Sequence, residues 1–138
     1  MTIKATSALS IVAIWAAMIP AVAVEGDAWG GLIFAALGTG AIGVSAWRRL
    51  GISRLVAITG TWAGCAIALG SDAGATWISV FAFLTTGAVV YSPMRRDALV
   101  GGLGIAAAWL TAGTVVAANG PEGAWIAVFA FLTAGAVA

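Results

Sequence analysis

The sequence has no histidine, and its 138 residues include only one cysteine. Without histidine the chain lacks the usual haem ligand, a frequent zinc ligand and the side chain that titrates near neutral pH. The lone Cys65 excludes an intramolecular disulfide, and we interpret it as a small packing residue. The formal net charge of +1 gives no basis for nucleic-acid binding. We therefore expect no metal, no cofactor and no nucleic-acid partner.

Charged groups are also missing from the middle of every long apolar run. Pumps and ion-coupled carriers normally place acidic groups inside the membrane as relays, and a retinal-type Schiff base needs a lysine there. The sequence has no phosphate-binding loop and no paired-carboxylate motif. These absences predict a protein that is not an enzyme.

Apolar residues are abundant instead, at 62% against 8% charged. A soluble domain is about one-quarter charged, and a chain this short cannot bury so much apolar surface within itself. Six apolar runs approach the roughly 20 residues that a membrane-spanning helix needs, and none alternates as a strand would. We predict an all-α, six-transmembrane-helix bundle in one domain, 1–138. The runs are Thr6–Val24, Ala28–Trp47, Ile52–Gly70, Ala75–Tyr91, Ala98–Ala118 and Pro121–Ala138.

The first run has an alternative interpretation as a secretory signal. Lys4 precedes the apolar stretch, and Ala21-Val22-Ala23 is similar to a cleavage site. The run also fits the internal repeat described below, which favours a retained first helix.

The basic residues predict how the helices are oriented. The connections after the first, third and fifth runs carry acidic residues, whereas the arginines follow the second and fourth runs. By the positive-inside rule, the side that holds the arginines and both termini is cytoplasmic, which predicts a protein of the cytoplasmic (inner) membrane. The arginines set topology and, as an alternative, bind anionic lipid head groups. They are Arg48, Arg49, Arg54, Arg95 and Arg96.

An internal repeat divides the chain into three. Trp15, Trp62 and Trp109 lie 47 residues apart, and WISVFAFLTTGAVV recurs as WIAVFAFLTAGAVA 48 residues later. Each copy contains two apolar runs, which predicts three parallel two-helix hairpins, about 5–49, 50–96 and 97–138, around a pseudo-threefold axis. The third copy lacks the Ser-Pro-Met-Arg-Arg that closes the second, so we expect the sixth helix to be short or tilted.

Two short motifs close the second and fourth runs. Ser92-Pro93-Met94 ends one and Ser45-Ala46-Trp47 ends the other. With the tryptophan-led helices around them, they resemble the SPW-repeat family of small integral membrane proteins, although Met94 replaces the family's tryptophan and Ala46 its proline. The resemblance implies residence in a membrane and leaves activity open.

The three tryptophans at mid-membrane are the first candidate site. Trp15, Trp62 and Trp109 lie near the bilayer centre, whereas Trp29, Trp77 and Trp125 fit an interfacial belt. One hypothesis makes the central three packing residues whose indoles bond to a threonine or a carbonyl group. The alternative makes them line a shared central site and stack on a ligand.

Small residues of the even-numbered runs form the second candidate. Close packing over small side chains drives helix association in lipid, so packing is the first interpretation. The alternative is a polar track for small neutral solutes, lined by Thr85, Thr86 and Thr133. The glycines of the set are Gly38, Gly40, Gly43, Gly87 and Gly135, with a further patch at Gly101, Gly102 and Gly104.

These observations predict a small non-enzymatic integral membrane protein with a structural or accessory role. We expect membrane lipids as its surroundings, and packing as a homo-oligomer or within a larger membrane complex. The alternatives are a small pore or facilitator for neutral solutes and a binder of lipid or an apolar pigment.

Overall fold

A computed structural model of the chain describes residues 3–24, 26–44, 51–71, 76–91, 99–120 and 125–137. These ranges form six α-helices and a short 3-10 turn at Gly26–Trp29, and they contain no strand. The all-helical prediction is therefore confirmed for the described residues. The helices are α1 (Ile3–Val24), α2 (Gly30–Val44), α3 (Ile52–Ser71), α4 (Ile78–Tyr91), α5 (Leu99–Asn119) and α6 (Ile126–Val137).

Long and short helices alternate along the chain. α1, α3 and α5 have 22, 20 and 21 residues, whereas α2, α4 and α6 have 15, 14 and 12. At 1.5 Å per residue the odd helices reach about 30 Å, the thickness of the hydrocarbon core, but the even helices reach only about 18–23 Å. Within the described ranges, three helices are thus long and apolar enough to cross a membrane, where the sequence predicted six.

The even helices are shorter because some of the apolar residues counted in the predicted runs form turns. The run predicted from Ala28 passes through the 3-10 turn before α2 begins at Gly30. The run predicted from Ala75 enters α4 only at Ile78, after the turn at Thr76 and Trp77. α6 was predicted to be short or tilted, and it has 12 residues within the described part of the chain.

The six helices form two layers. α3 packs between α1 and α5 in one layer, α4 packs between α2 and α6 in the other, and each odd helix packs on the even helix that follows it. α3 and α4 are antiparallel, since Arg54 contacts Val89 while Trp62 contacts Thr86. Each odd helix and the even helix that follows it form a hairpin with one helix in each layer. We call these hairpin 1 (α1 and α2), hairpin 2 (α3 and α4) and hairpin 3 (α5 and α6).

The predicted pseudo-threefold arrangement is not observed. In a closed threefold bundle α1 would pack against α5, but within the described residues the two helices flank α3 and form no packed interface with each other. The hairpins instead stand side by side in an open row, with hairpin 2 in the middle.

The close approach of α3 and α5 holds hairpins 2 and 3 in this row. A Cβ atom added at Gly60 would overlap Ala106, and one added at Gly64 would overlap the backbone of Trp109. Gly113 similarly faces Gly64 across the interface. Backbones can come this close only where side chains are absent, which is how lipid-embedded helices gain packing contacts.

The end of α5 is set by a glycine. Gly120 has a φ of 80°, and its backbone N–H donates to the carbonyl oxygen of Val116 at 2.8 Å. This is the left-handed C-terminal cap that glycine adopts without a steric penalty. The helix start predicted at Pro121 lies outside the described residues.

Candidate functional site: the tryptophan–threonine contacts

The central tryptophan of hairpin 2 donates to a threonine of the same hairpin. The indole Nε1 of Trp62 lies 2.8 Å from Oγ1 of Thr86, and neither side chain exposes any surface. The threonine hydroxyl in turn donates to the carbonyl oxygen of Ala82, one helical turn earlier, at 2.8 Å. The indole N–H and the threonine hydroxyl therefore satisfy each other inside an apolar interface.

Hairpin 1 contains the same arrangement. Nε1 of Trp15 lies 2.9 Å from Oγ1 of Thr39, whose hydroxyl donates to the carbonyl oxygen of Ala35 at 2.9 Å. The tryptophan and the threonine are again 24 residues apart in the chain. Trp15 differs in burial, because it is partly exposed whereas Trp62 is not.

In hairpin 3 the tryptophan bonds to a different hairpin. Nε1 of Trp109 lies 3.2 Å from Oγ1 of Thr85 on α4, and both side chains are fully buried. The repeated segment explains this difference, since the residue 48 positions after Thr86 is Ala134, which has no hydroxyl. Trp109 therefore donates to the threonine beside Thr86, and this bond ties hairpin 3 to hairpin 2.

These bonds decide which predicted site residues come together. Thr85 and Thr86 are neighbours on α4 and receive indoles from α5 and α3, as the packing hypothesis predicted. Thr133 is exposed on α6, away from both bonds. Each of the three indoles points to a threonine of an even helix, so their N–H groups do not converge on a shared central cavity.

Three grooves among the described residues are open at the outer surface. One of about 300 Å³ lies between α5 and α6 and includes Thr111 and Thr133. Another, of about 440 Å³, runs along α1 beside Trp15 and Pro20. A third, of about 290 Å³, separates α1 from the outer part of α3.

Arg54 has a structural contact that the sequence did not predict. Its Nε donates to the carbonyl oxygen of Val89 at 3.0 Å, and the side chain is partly buried. Val89 lies in the last turn of α4, where carbonyl groups have no partner within the helix. Arg54 thus caps α4, whereas Arg48, Arg49, Arg95 and Arg96 lie outside the described residues.

The glycine prediction holds in part. Gly38 packs against the indole of Trp62, and Gly102 packs against Ser53. Gly104 and four other glycines of the predicted set face open space, so they do not mediate close packing among the described residues. These four, which have no neighbour within 4 Å of an added Cβ atom, are Gly40, Gly43, Gly87 and Gly135.

Of the glycines at the close α3–α5 interface, Gly102 was predicted, whereas Gly60, Gly64 and Gly113 were not. Ser53, Ala57, Gly60 and Gly64 follow one another at helical spacing, and this stripe was visible in the sequence. It marks the face of α3 that α5 covers.

No group suited to holding a metal ion is found among the described residues, and Cys65 is fully buried in α3. No family model, curated protein or solved structure matches the chain. The resemblance to the SPW-repeat family therefore depends on the sequence motifs alone.

Proposed function

We propose that the protein is a small non-enzymatic membrane protein whose role is structural, packing against copies of itself or within a larger membrane complex. The observation that supports it is the use of its buried polar groups. Among the described residues, no buried side-chain nitrogen or oxygen lacks a hydrogen-bond partner. The indoles of Trp62 and Trp109 and the hydroxyls of Thr85 and Thr86 are used to join helices.

A binding or catalytic site usually directs a few polar groups into a concave space. In this chain the buried polar groups bond to one another or to backbone carbonyl groups, and the close glycine contacts fill the space between α3 and α5. Both features favour a rigid packing element over a site that must admit a ligand.

The membrane assignment has two parts. Three helices are long and apolar enough to cross a bilayer. We further propose that the even helices cross as well, with the bilayer thinned or the helix ends extended around them, and that both termini are cytoplasmic in the inner membrane. Short hydrophobic segments are accommodated in this way at a modest energetic cost.

Reconstitution tests the proposed role. Purified protein in liposomes should carry neither neutral solutes nor ions, and native mass spectrometry from mild detergent should report an oligomer or a stable complex without a bound apolar small molecule. Solute flux or substrate turnover by the pure protein would contradict the proposal, and a stoichiometric pigment or lipid would favour the binder.

The groove between α5 and α6 favours a second candidate, a facilitator for small neutral solutes, since Thr111 and Thr133 place two hydroxyl groups there. This candidate predicts liposome flux that falls in Thr133→Val. Thr114→Val is the control, because Thr114 is exposed on α5 outside the residues that line the groove. Equal flux in the two variants and in empty liposomes would exclude it.

A further inference from the structure

Each even helix in hairpins 1 and 2 presents one position to the tryptophan of the following hairpin. On α4 this position is Thr85, which accepts the indole N–H of Trp109. On α2 it is Gly38, 47 residues earlier, where an added Cβ atom would lie 3.1 Å from Cζ2 of Trp62. The two junctions between hairpins therefore use the same place on the even helix.

A pair of phenylalanine rings repeats at the same junctions. Phe34 of α2 lies 6.4 Å from Phe83 of α4, measured between ring centroids. Phe81 of α4 lies 6.1 Å from Phe131 of α6. Phe81 follows Phe34 by 47 residues and Phe131 follows Phe83 by 48, so the second pair occupies the repeat positions of the first.

In hairpin 3 the corresponding positions are not covered by another hairpin. Thr133 and Phe129 follow Thr85 and Phe81 by 48 residues, and they lie on α6 in the same sequence, FAFLT. Both are exposed, Phe129 by 53%, and both line the open groove of about 300 Å³.

The α5 side of the groove also corresponds to a covered face. Ala107 and Thr111 follow Gly60 and Gly64 by 47 residues, and those glycines are the ones that α5 covers in hairpin 2. Gly104 belongs to the same stripe and has nothing within 4 Å of an added Cβ atom. A stripe of small residues is typical of a helix face that packs on another helix in lipid.

The opposite end of the row has the complementary face. Trp62 and Trp109 are fully buried where their hairpins meet the preceding one, but the corresponding Trp15 is partly exposed. Val12 and Ile19 on the same side of α1 are 60% and 57% exposed. Val12, Trp15 and Ile19 correspond to Ala106, Trp109 and Gly113, so hairpin 1 carries, uncovered, the face with which hairpin 3 packs on hairpin 2.

We propose that a second copy of this chain docks head to tail, its hairpin 1 occupying the groove of hairpin 3. We call the groove-lining surface the seat; it consists of Ala107, Ala108, Thr111, Ala112, Ile126, Phe129, Ala130 and Thr133. The proposal rests on the proposed structural role and names its partner. It continues the close helix contact that α3 forms with α5, together with the even-helix contacts that recur at both junctions of the row.

The membrane favours this geometry. α3 and α5 run parallel, since Gly102 contacts Ser53 and Gly113 contacts Gly64. A second copy that docks through the same parallel packing has the same orientation across the bilayer as the first copy. All copies that insert with one topology share that orientation. Such a contact is heterologous, and it extends the row or closes it into a ring.

Disulfide cross-linking tests the contact directly. Val12 and Ala107 correspond to Ala106 and Gly60, which touch across the α3–α5 interface. Val12→Cys and Ala107→Cys are placed in separate, differently tagged copies, both carrying Cys65→Ala. This background is suitable because the residue 47 positions after Cys65 is alanine.

Mild oxidation of membranes containing both copies should give a mixed disulfide dimer. The control pairs Val12→Cys with Leu84→Cys, because Leu84 is 40% exposed but belongs to the middle hairpin. The expected yield is roughly tenfold or more above the control, since docking fixes the two Cβ atoms within bonding reach. Adding Thr133→Trp, which fills the seat, should abolish the cross-link, whereas Leu84→Trp should not.

A yield equal to that of the control would overturn the proposal, as would a cross-link that is insensitive to Thr133→Trp. The proposed function has its own readouts, namely flux and turnover in liposomes. A protein without flux or turnover that fails to cross-link would contradict the docking proposal but not the structural role. A protein that conducts solute and cross-links would contradict the structural role but not the docking proposal.

Discussion

The indole of Trp62 donates to the hydroxyl of Thr86 at 2.8 Å, and neither residue is reached by solvent or lipid. A hydrogen bond in this setting cannot be replaced by water when one partner is removed. In membranes such interhelical bonds contribute modestly on average, about 0.6 kcal/mol, but an unpaired buried donor costs more.

Thr86→Val should lower the free energy of unfolding by about 1 kcal/mol, because valine keeps the shape but leaves the Trp62 indole unpaired. Titration with SDS in mixed micelles measures this. Thr86→Ser, which keeps a hydroxyl group, is the matched control. Thr39→Val should have a smaller effect, since the Trp15–Thr39 bond is only partly buried. Equal stability of the valine and serine variants at position 86 would argue against the role assigned to the bond.

The bond between Trp109 and Thr85 predicts a rescue. Thr85→Val removes the acceptor, so hairpin 3 should be held less firmly to hairpin 2 and unfolding should become easier. Adding Ala134→Thr places a hydroxyl at the α6 position that corresponds to Thr86, where Trp109 can donate within its own hairpin. The double variant should recover much of the stability lost in Thr85→Val, measured by the same titration. A double variant no more stable than Thr85→Val would mean that residue 134 does not face Trp109 in this way.

The α3–α5 interface should tolerate no side chain at Gly64. Gly64→Ala pushes a methyl group into the backbone of Trp109, and separating the two helices should cost about 2 kcal/mol. Gly87→Ala is the control, because its Cβ atom would enter open space and alanine favours the helix. Thermal unfolding in detergent should separate the two variants clearly. If both unfold at the same temperature, the close approach of the helices is not present in the folded protein.

Arg54 should stabilise the end of α4 independently of lipid charge. Arg54→Met removes the donor to Val89, so amide hydrogen exchange in the last turn of α4 should rise roughly fivefold, equivalent to about 1 kcal/mol. The comparison is made in a non-ionic detergent without anionic lipid. Exchange as slow as in the unchanged protein would leave Arg54 only its predicted roles in topology and lipid binding.

The sequence predicted helix type well and helix length less well. Apolar runs identify membrane-compatible helices, and the bounds predicted for the third, Ile52–Gly70, agree with α3 to one residue. Ala28 and Trp29 are apolar although they belong to the turn at Gly26–Trp29, so composition alone could not separate them from the helix that follows. The even helices were overestimated for this reason.

The arrangement of the hairpins was not accessible from periodicity. A spacing of 47 residues predicts three similar hairpins. That they are three copies of one structural unit stays a prediction. The period does not say whether neighbours are related by rotation about a common axis or by a step along a row. The glycine contacts of α3 with α5 select the row, and only coordinates show which small residues touch.

The sequence predicted the type of hydrogen bond at the candidate site but not which threonine each tryptophan bonds to. A buried tryptophan needs an acceptor, so a threonine or a carbonyl group was expected as the partner of Trp62 and of Trp109. The switch of Trp109 to α4 depends on Ala134, whose significance appears only when the bond from Trp62 to Thr86 is known.

The most direct test of the account is whether the short even helices cross the membrane. Single cysteines at Gly26, Ile52, Ser71 and Leu99, each in the Cys65→Ala background, flank α2 and α4. A membrane-impermeant maleimide should label Gly26→Cys and Ser71→Cys in intact cells. It should label Ile52→Cys and Leu99→Cys only after the cells are opened. Labelling of Gly26→Cys and Ile52→Cys from the same side would show that α2 does not cross, and the row of membrane-spanning hairpins would be contradicted.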